Sequence, residues 1–256
     1  MMNAYMHIRN ARMLRKVPQV TLFFWIIKLL TTALGESASD FLVFHFNPYL
    51  AVIGGFTAFV AVLALQFKTR RYVPWIYWLN VLMVAIFGTM AADVTHVVLG
   101  VPYLVSTVAF AIVLAIVFIF WQRTEKTLSI HSITTTRREV FYWATVLATF
   151  ALGTAAGDLT AYTANLGFLS AGILFAIIFA LPGLGYWLLR INAIFAFWFA
   201  YILTRPLGAS FADWTGKTQS VGGLGWGDGP VAGVLALLII VLVGYLQVTH
   251  EDVDAA

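Results

Sequence analysis

Trp143-Ala-Thr-Val-Leu-Ala-Thr-Phe-Ala-Leu-Gly153-Thr-Ala-Ala-Gly157-Asp158 is one of four copies of the same spacing, and the whole chain can be interpreted from it. Each copy has a Trp, a Gly ten positions later, a small residue four positions after the Gly, and then at once an Asp. The copies are Trp25, Gly35, Ser39 and Asp40; Trp78, Gly88, Ala92 and Asp93; Trp143, Gly153, Gly157 and Asp158; and Trp198, Gly208, Ala212 and Asp213. They align without a gap, so the chain is an internal fourfold repeat.

The composition is typical of a membrane protein. Apolar residues make up 61% of the 256 residues and charged residues 10%, whereas soluble domains carry about 25% charged residues. The charges lie in short clusters between apolar runs of roughly 20 residues, the length that crosses a bilayer as a helix. The sequence therefore predicts an all-α, polytopic transmembrane helix bundle of eight spans, arranged as four parallel two-helix repeats.

The repeats divide a single membrane domain, residues 1–256. We expect them at about 18–71, 74–126, 138–189 and 191–249. The first helix of each pair carries the motif, and the second is nearly featureless. A Gly followed four positions later by a small residue lets two helix backbones approach closely, so we expect the four motif helices to form an inner ring. Each motif Trp is expected to anchor its span at the membrane interface.

Basic residues predict the orientation in the membrane. They collect on one side of the predicted spans, as Arg9, Arg12, Arg15 and Lys16, then Lys68, Arg70 and Arg71, then Arg123, Lys126, Arg137 and Arg138, then Arg190. The connections on the other side carry only Lys217. Positive loops face the cytoplasm, so both termini are expected there. At roughly 1.5 Å per residue, the four Asp then lie about 30 to 36 Å from the last basic residue, near the outer face of the hydrocarbon core.

Aspartate is the motif residue that packing does not explain, because a charge bordering hydrocarbon costs a few kcal/mol. Four carboxylates at one depth around a repeat axis predict a site for a hard cation or for protons. The predicted ion-binding or proton-carrying residues are Asp40, Asp93, Asp158, Asp213 and Glu36, with the four Asp as metal ligands. The chain has no Cys, and oxygen-only ligation favours Mg²⁺, Mn²⁺ or Ca²⁺ over copper or zinc.

Other polar residues of the motif helices are expected to support this site. Hydroxyls recur near the Asp and one turn before the Gly, as Thr95, Thr160 and Thr215 and as Thr31, Thr149 and Thr204. His96 follows Asp93 by three positions, on the same helical face. Lys28 and Arg205 are the basic residues within the motif helices, and both are expected to oppose the acids. Pro206 predicts a kink in the last motif helix.

A structural interpretation stands beside the functional one. In it, the Asp cap the following loops or accept hydrogen bonds from the next helix, and salt bridges to Lys28 and Arg205 hold the bundle together.

Residues 217–229 contain five Gly and form either a plain exposed loop or a lid over an outer vestibule. His45 and His131 are interpreted as loop residues. No span carries a second His, so no haem is expected, nor is a nucleotide.

The copies at 77–93 and 197–213 resemble a known family. Tyr77-Trp-Leu-Asn-Val-Leu, Gly88-Thr-Met-Ala-Ala-Asp93 and Phe197-Trp-Phe-Ala-Tyr-Ile-Leu-Thr-Arg-Pro-Leu-Gly-Ala-Ser-Phe-Ala-Asp213 look like the bacterial membrane-anchored family of four tandem two-span repeats of unknown function. The resemblance covers about residues 16 to 248, and every Trp and every Gly-to-Asp spacing falls in place. It implies the architecture and a bacterial inner membrane, and it supplies no catalytic or binding residues.

The leading functional hypothesis is an inner-membrane transporter of a small cation, either a divalent metal or a proton-coupled ion, that uses the Asp ring near the outer face. The alternative is an intramembrane enzyme with two carboxylates sharing a proton, which needs a substrate cavity that the sequence does not show. A third hypothesis is a sensor or scaffold, favoured if the Asp prove dispensable. The expected partners are the lipid bilayer and a small cation, without nucleic acid; homo-oligomer formation is left open.

Overall fold

The computed structural model describes residues 15–253, so Arg9 and Arg12 lie outside the described residues. The described chain forms eight long helices: α1 (Leu22–His45), α2 (Pro48–Lys68), α3 (Pro74–Asp93), α4 (Tyr103–Glu125), α5 (Thr136–Asp158), α6 (Gly167–Leu189), α7 (Ala193–Gly216) and α8 (Asp228–Thr249). Short π-helical turns, Val94–Val98 and Leu159–Thr163, continue α3 and α5. All eight helices are long and apolar enough to cross a membrane. The predicted all-α, eight-span fold is confirmed.

Local sequence signals set several helix starts. The Asn47 side chain accepts hydrogen bonds from the backbone N–H groups that open α2, and Asn192 does the same for α7. Such caps satisfy donors that have no partner within the helix. Pro48 and Pro74 occupy the first positions of α2 and α3, where the missing N–H of proline is not needed. These caps and prolines therefore mark where α2, α3 and α7 begin.

The four motif helices form a closed ring. Helix α1 packs on α3, α3 on α5, α5 on α7, and α7 returns to α1. Each even-numbered helix packs chiefly on the motif helix of the following repeat, so that α2 covers α3, α4 covers α5, α6 covers α7, and α8 covers α1. The even-numbered helices bury few of their residues. The predicted inner ring of motif helices is confirmed.

Every motif Gly lies against the next motif helix at the same register. A Cβ added to Gly88 would lie 2.9 Å from Phe150 Cβ, and one added to Gly153 would lie 2.5 Å from Arg205 Cβ. A Cβ added to Gly35 would lie still closer to Ala85, and one added to Gly208 still closer to Thr32. In all four interfaces the facing residue stands three positions before the Gly of its own repeat. Because each Gly has no side chain, neighbouring motif helices can approach closely enough to close the ring.

The ring has two different ends. We call the end that holds the four motif Asp the Asp end, and the opposite end, which holds the four motif Trp, the Trp end. Trp78, Trp143 and Trp198 are at most 4% exposed, and the last of these packs edge-on against Trp121 of α4. The expectation that the motif Trp anchor the spans at the interface is wrong for these three, because even-numbered helices and neighbouring aromatic side chains cover the indole rings.

Candidate functional site

A cavity of about 650 Å³ lies at the Asp end. All four motif Asp line it, together with Glu36 and Lys217. The remaining lining is largely apolar and aromatic, and includes Val43, Phe44, Tyr49, Val52, Ile53, Met90, Tyr103 and Tyr162. The ring places one carboxylate from each repeat on this cavity because the four motif helices have the same Trp-to-Asp spacing and run in the same direction.

Lys217 supplies a positive charge among these carboxylates. Its ammonium donates a hydrogen bond to Asp40, and Nζ lies 3.9 Å from Asp213 Oδ1 and 4.0 Å from Asp228 Oδ2. Burial of the ammonium lowers its pKa, but the three carboxylates outweigh that effect and raise the pKa of Lys217 above its ordinary value. Sequence reasoning missed this residue as a site member. Its position four residues after Asp213 is the signal that could have identified it.

Arg205 lies beneath the cavity and joins three motif helices. Its guanidinium donates to the Glu36 carboxylate of α1, to Thr89 Oγ1 of α3 at 2.5 Å, and to the Thr32 carbonyl oxygen at 3.5 Å. The side chain is fully buried. Arg205 therefore pairs with Glu36, and it forms no ion pair with a motif Asp among the described residues.

Asp93 and Asp158 differ from the other carboxylates. Neither forms an ion pair or a side-chain hydrogen bond with any residue in the described range. Both are partly exposed, and both line the cavity. Their helices α3 and α5 carry no basic residue between the motif Trp and the motif Asp. These two carboxylates are the ones whose charge the protein does not neutralise by direct contact.

A second set of carboxylates has the spacing of a cation site. One oxygen each from Glu36, Asp40 and Asp213 lies within 4.8 Å of the other two. Hard cations such as Ca²⁺ are bound by several carboxylate oxygens at about 2.3–2.6 Å. Arg205 already contacts Glu36, and Lys217 already contacts Asp40. A cation at this position must therefore compete with two side-chain cations of the protein.

The predicted supporting hydroxyls are turned mostly toward their own helices. Five of the six donate to a backbone carbonyl three or four residues earlier: Thr31, Thr95, Thr160, Thr204 and Thr215. Thr149 Oγ1 is buried without a partner in the described structure. His96 faces the connection after α3, where Nδ1 lies 3.0 Å from the Val101 carbonyl oxygen and the ring packs on Tyr103. None of these seven side chains is among those that line the cavity.

Lys28 lies deeper in the ring than the acids. It is 1% exposed and forms no ion pair with the part of the chain that the structure describes. The expected pairing with an acid is therefore not found. The reason is axial distance: Lys28 precedes Glu36 by eight positions and Asp40 by twelve, about 12 and 18 Å at roughly 1.5 Å per residue. Its ammonium instead contacts the faces of Phe150 and Tyr201.

The loop after α7 folds back onto the end of that helix. The N–H groups of Leu224, Trp226 and Gly227 donate to the carbonyl oxygens of Trp214, Thr215 and Gly216. Gly222, Gly225 and Gly227 have φ values of 89°, 80° and 84°, a region that glycine adopts without strain. The glycines thus shape a loop that is pinned by backbone hydrogen bonds, and this loop begins with Lys217.

A cavity of about 670 Å³ lies at the Trp end, between α1, α6 and α7, and its lining includes Trp25, Phe179 and Phe197. Within residues 15–253, no carboxylate lines this cavity. His131, on the connection before α5, also lines it. Burial and, to a lesser degree, the charge of Arg15 lower the pKa of this imidazole. Five carboxylates line the cavity at the Asp end, so that cavity is the candidate site.

Comparison with known families matches the chain to a repeat family. Residues 23–72, 76–127, 141–192 and 196–251 each match the family described as Repeat of Unknown Function (DUF347). No curated protein and no solved structure matches the chain. The four matches cover most of the sequence, and each contains one motif helix and the even-numbered helix that follows it. This multi-span helical protein belongs to the Repeat of Unknown Function (DUF347) family.

Proposed function

We propose that this protein binds a small cation in the Asp-end cavity and transports it across the membrane. The observation that carries the proposal is that Asp93 and Asp158 line the cavity without a counter-ion among the described residues. An unneutralised carboxylate at the edge of a membrane is costly unless a partner is supplied. Packing requires no carboxylate at these positions, so a bound cation is the partner that accounts for both.

The charge of the cavity favours a cation. Five carboxylates and one ammonium line it, and the Arg205 guanidinium lies below. With all groups ionised, the negative charges exceed the positive ones by three. The available ligand atoms are carboxylate and tyrosine oxygens, and no His among the described residues lines the cavity. Such a donor set suits Mg²⁺, Mn²⁺ or Ca²⁺.

The basic residues support an orientation with the Asp end outside. At the Asp end the helix ends and connections carry Lys217, whereas at the Trp end they carry Lys68, Arg70, Arg71, Arg123, Lys126, Arg137, Arg138 and Arg190. Positively charged connections remain on the cytoplasmic side during insertion. We therefore propose a bacterial inner-membrane protein with both termini in the cytoplasm, which receives its cation from the outer side.

Lys217 and Arg205 are two positively charged side chains that an entering cation would meet in turn. A cation entering from the Asp end would first displace the Lys217 ammonium from Asp40, since both compete for the same oxygens. Further passage requires the Arg205 guanidinium to leave Glu36, because it closes the floor of the cavity. Arginine stays charged in proteins, so it repels the cation until the ring rearranges. In this scheme Lys217 competes for the site and Arg205 closes it.

Binding and transport are tested separately. Titration of Mn²⁺, Mg²⁺ and Ca²⁺ into the purified protein by calorimetry is expected to show saturable binding of at least one ion. The Asp93→Asn and Asp158→Asn double variant keeps side-chain size while removing both charges. We expect it to unfold at the same temperature as the parent or higher, because two unpaired charges are removed, and to bind at least tenfold more weakly, equivalent to about 1.4 kcal/mol. Uptake of the bound ion into proteoliposomes should fall in parallel.

Glu251→Gln is the matched control, because it removes a carboxylate from an exposed residue at the Trp end. This variant should bind and transport as the parent does. A parent protein that binds none of the three ions would contradict the proposal. So would a double variant with unchanged binding and uptake, and that result would favour the sensor or scaffold hypothesis.

A further inference from the structure

Buried polar side chains continue below the cavity, along the axis of the ring, to the Trp end. Counted from the motif Gly of each repeat, Arg205 stands three positions before the Gly, Lys28 and Tyr201 seven, and Tyr77 and Tyr142 eleven. These offsets recur on one face of each helix. Since the Asp stand five positions after the Gly, the polar line spans about 24 Å at roughly 1.5 Å per residue. It therefore crosses most of a hydrocarbon core about 30 Å thick.

Lys28 is the central member of this line. Its Nζ lies 4.0 Å from the Phe150 ring centroid and 4.2 Å from the Tyr201 ring centroid, and it has no hydrogen-bond acceptor among the described residues. Ring faces attract a cation, but an ammonium buried without an acceptor costs several kcal/mol. Repeats two and three have Val81 and Val146 at the same position, so packing does not require a lysine. The Lys28 ammonium therefore destabilises the folded protein without a packing role that would account for it.

Tyrosine hydroxyls extend the line toward the Trp end. The hydroxyls of Tyr77 and Tyr142 are hydrogen-bonded to each other. Tyr142 and Tyr201 pack on the same Trp198 ring, with centroid distances of 6.2 and 5.4 Å. The Tyr72 ring is 5.5 Å from that of Tyr77, and its hydroxyl donates to the Asp252 carboxylate after α8. A hydroxyl both donates and accepts, so each of these groups can receive a proton on one side and release one on the other.

Further polar atoms on the ring helices lack partners within the described chain. Both side-chain polar atoms of Asn80 and the hydroxyls of Thr145, Thr149 and Tyr201 are buried and unpaired. An unsatisfied buried polar group costs about 1–3 kcal/mol, and internal water usually supplies the missing hydrogen bond. Counted from the motif Gly, Asn80 and Thr145 stand one position closer to the Trp end than Lys28, Tyr201 stands at the level of Lys28, and Thr149 stands three positions closer to the Asp end. Water bound to them would shorten the steps between protonatable groups.

We propose that the axis of the ring conducts protons between the Asp-end cavity and the Trp end, with Lys28 as a carrier. The inference rests on the proposed function and adds the ion that is exchanged for the transported cation. In each step one N–H or O–H bond breaks as another forms, and water at the two ends supplies and accepts the proton.

Two groups act on Lys28 from the helices that pack against α1. Arg205 is the charged side chain whose field reaches the ammonium, and Tyr201 is the titratable side chain in contact with it; both belong to α7. Helix α5 contributes the Phe150 ring, which does not titrate. Lysine can lose its proton in a protein interior, whereas arginine keeps its own. Lys28→Arg therefore separates a proton carrier from a structural cation.

The test measures proton flux in vesicles of phosphatidylethanolamine and phosphatidylglycerol that contain the full-length protein and a trapped pH-sensitive dye. A potassium gradient with valinomycin makes the interior negative. We expect the parent to acidify the interior at least tenfold faster than protein-free vesicles, and Lys28→Arg to fall to the protein-free rate. Equal rates for the parent and Lys28→Arg would overturn the proposal, as would a parent that conducts no better than lipid.

Because arginine is larger than lysine, a second pair of variants tests the same path. Tyr142→Phe removes one hydroxyl from the Tyr77 contact, and Tyr186→Phe removes one from an exposed side chain of α6. The first should slow proton flux at least tenfold and the second should leave it unchanged; equal flux in the two refutes the path.

Cation binding to the same preparations separates the two proposals. Lys28-dependent proton flux without binding of Mn²⁺, Mg²⁺ or Ca²⁺ would support the proton path and contradict the proposed cation site. Cation binding without proton flux would support the cation site and contradict the proton path.

Discussion

The ammonium of Lys217 donates to the carboxylate of Asp40, which lies 177 positions earlier in the chain. The contact joins the loop after the last motif helix to the first motif helix, at the Asp end. It therefore closes the ring at the level where the four Asp meet. The same ammonium lies near Asp213 and Asp228, so one lysine partly neutralises two carboxylates of the candidate site and the carboxylate that opens α8.

If Lys217 competes with the transported cation, removing it should strengthen binding. We expect Lys217→Met to lower the Kd for the cation about tenfold, equivalent to about 1.4 kcal/mol, because Asp40 and Asp213 are freed. Calorimetric titration measures this change. Lys68→Met, at an exposed position of the Trp end, is the control for loss of a positive charge and should leave the Kd unchanged. Weaker binding in Lys217→Met would mean that the lysine orients the carboxylates and does not compete for them.

The raised pKa of Lys217 gives a second prediction, on stability. A lysine whose pKa is higher in the folded protein contributes stability that is fully present below its unfolded pKa, 10.5, and is lost as the pH rises through the folded value. The difference in unfolding temperature between the parent and Lys217→Met should therefore be constant from pH 7 to pH 10. Thermal unfolding in detergent at several pH values measures it. A difference that disappears between pH 7 and pH 9 would show that the ammonium is not held by these carboxylates.

The buried pair of Arg205 and Glu36 should show strong coupling. Removing one partner leaves an uncompensated buried charge, which costs about 3–5 kcal/mol, whereas replacing both by apolar residues is often nearly neutral. We expect Arg205→Met and Glu36→Met each to lower stability by that amount, and the double variant to recover much of the loss. Equilibrium unfolding of the four proteins gives the interaction energy. Additive losses in the double variant would argue against a direct ion pair.

Much of the fold could be predicted because the repeat restricts the possible arrangements. Four copies with the same Trp-to-Asp spacing must place equivalent residues at equivalent depths, and the Gly in each copy indicates where the motif helices touch. The inner ring and the meeting of four Asp both follow from that spacing. Helix ends were less accurate, since α5 begins at Thr136 and α7 reaches Gly216, each a few residues beyond its apolar run.

The partners of the charged residues could not be predicted in the same way. Arg205 and Lys28 break the fourfold pattern, so the repeat gives no information about their contacts. Whether Arg205 reaches Glu36 or a motif Asp depends on how far a side chain extends along the axis and on which helix lies opposite. The spacing also did not reveal that Trp78, Trp143 and Trp198 turn inward, because a Trp at this depth serves equally well at a lipid interface.

Two glycines of α5 provide the sharpest test of the ring. A Cβ on Gly153 would lie 2.5 Å from Arg205 Cβ and 3.0 Å from Pro206 Cδ, whereas a Cβ on Gly157 would lie 3.7 Å from the nearest atoms of Pro206. Gly153→Ala must therefore push α5 and α7 apart, and overpacking of this kind costs about 1–3 kcal/mol. Gly157→Ala adds a methyl group at ordinary van der Waals distance.

We expect Gly153→Ala to lower the unfolding temperature and to loosen the contact between Arg205 and Glu36, which lies at the same level. Gly157→Ala should match the parent or be slightly more stable, because alanine favours the helix by up to about 1 kcal/mol over glycine. Thermal unfolding of both variants in one detergent provides the comparison, and helix propensity cannot account for a difference, since the substitution is identical and both sites lie within α5. Equal stability of the two variants would mean that α5 does not meet α7 at Gly153, and the closed ring of motif helices would have to be abandoned.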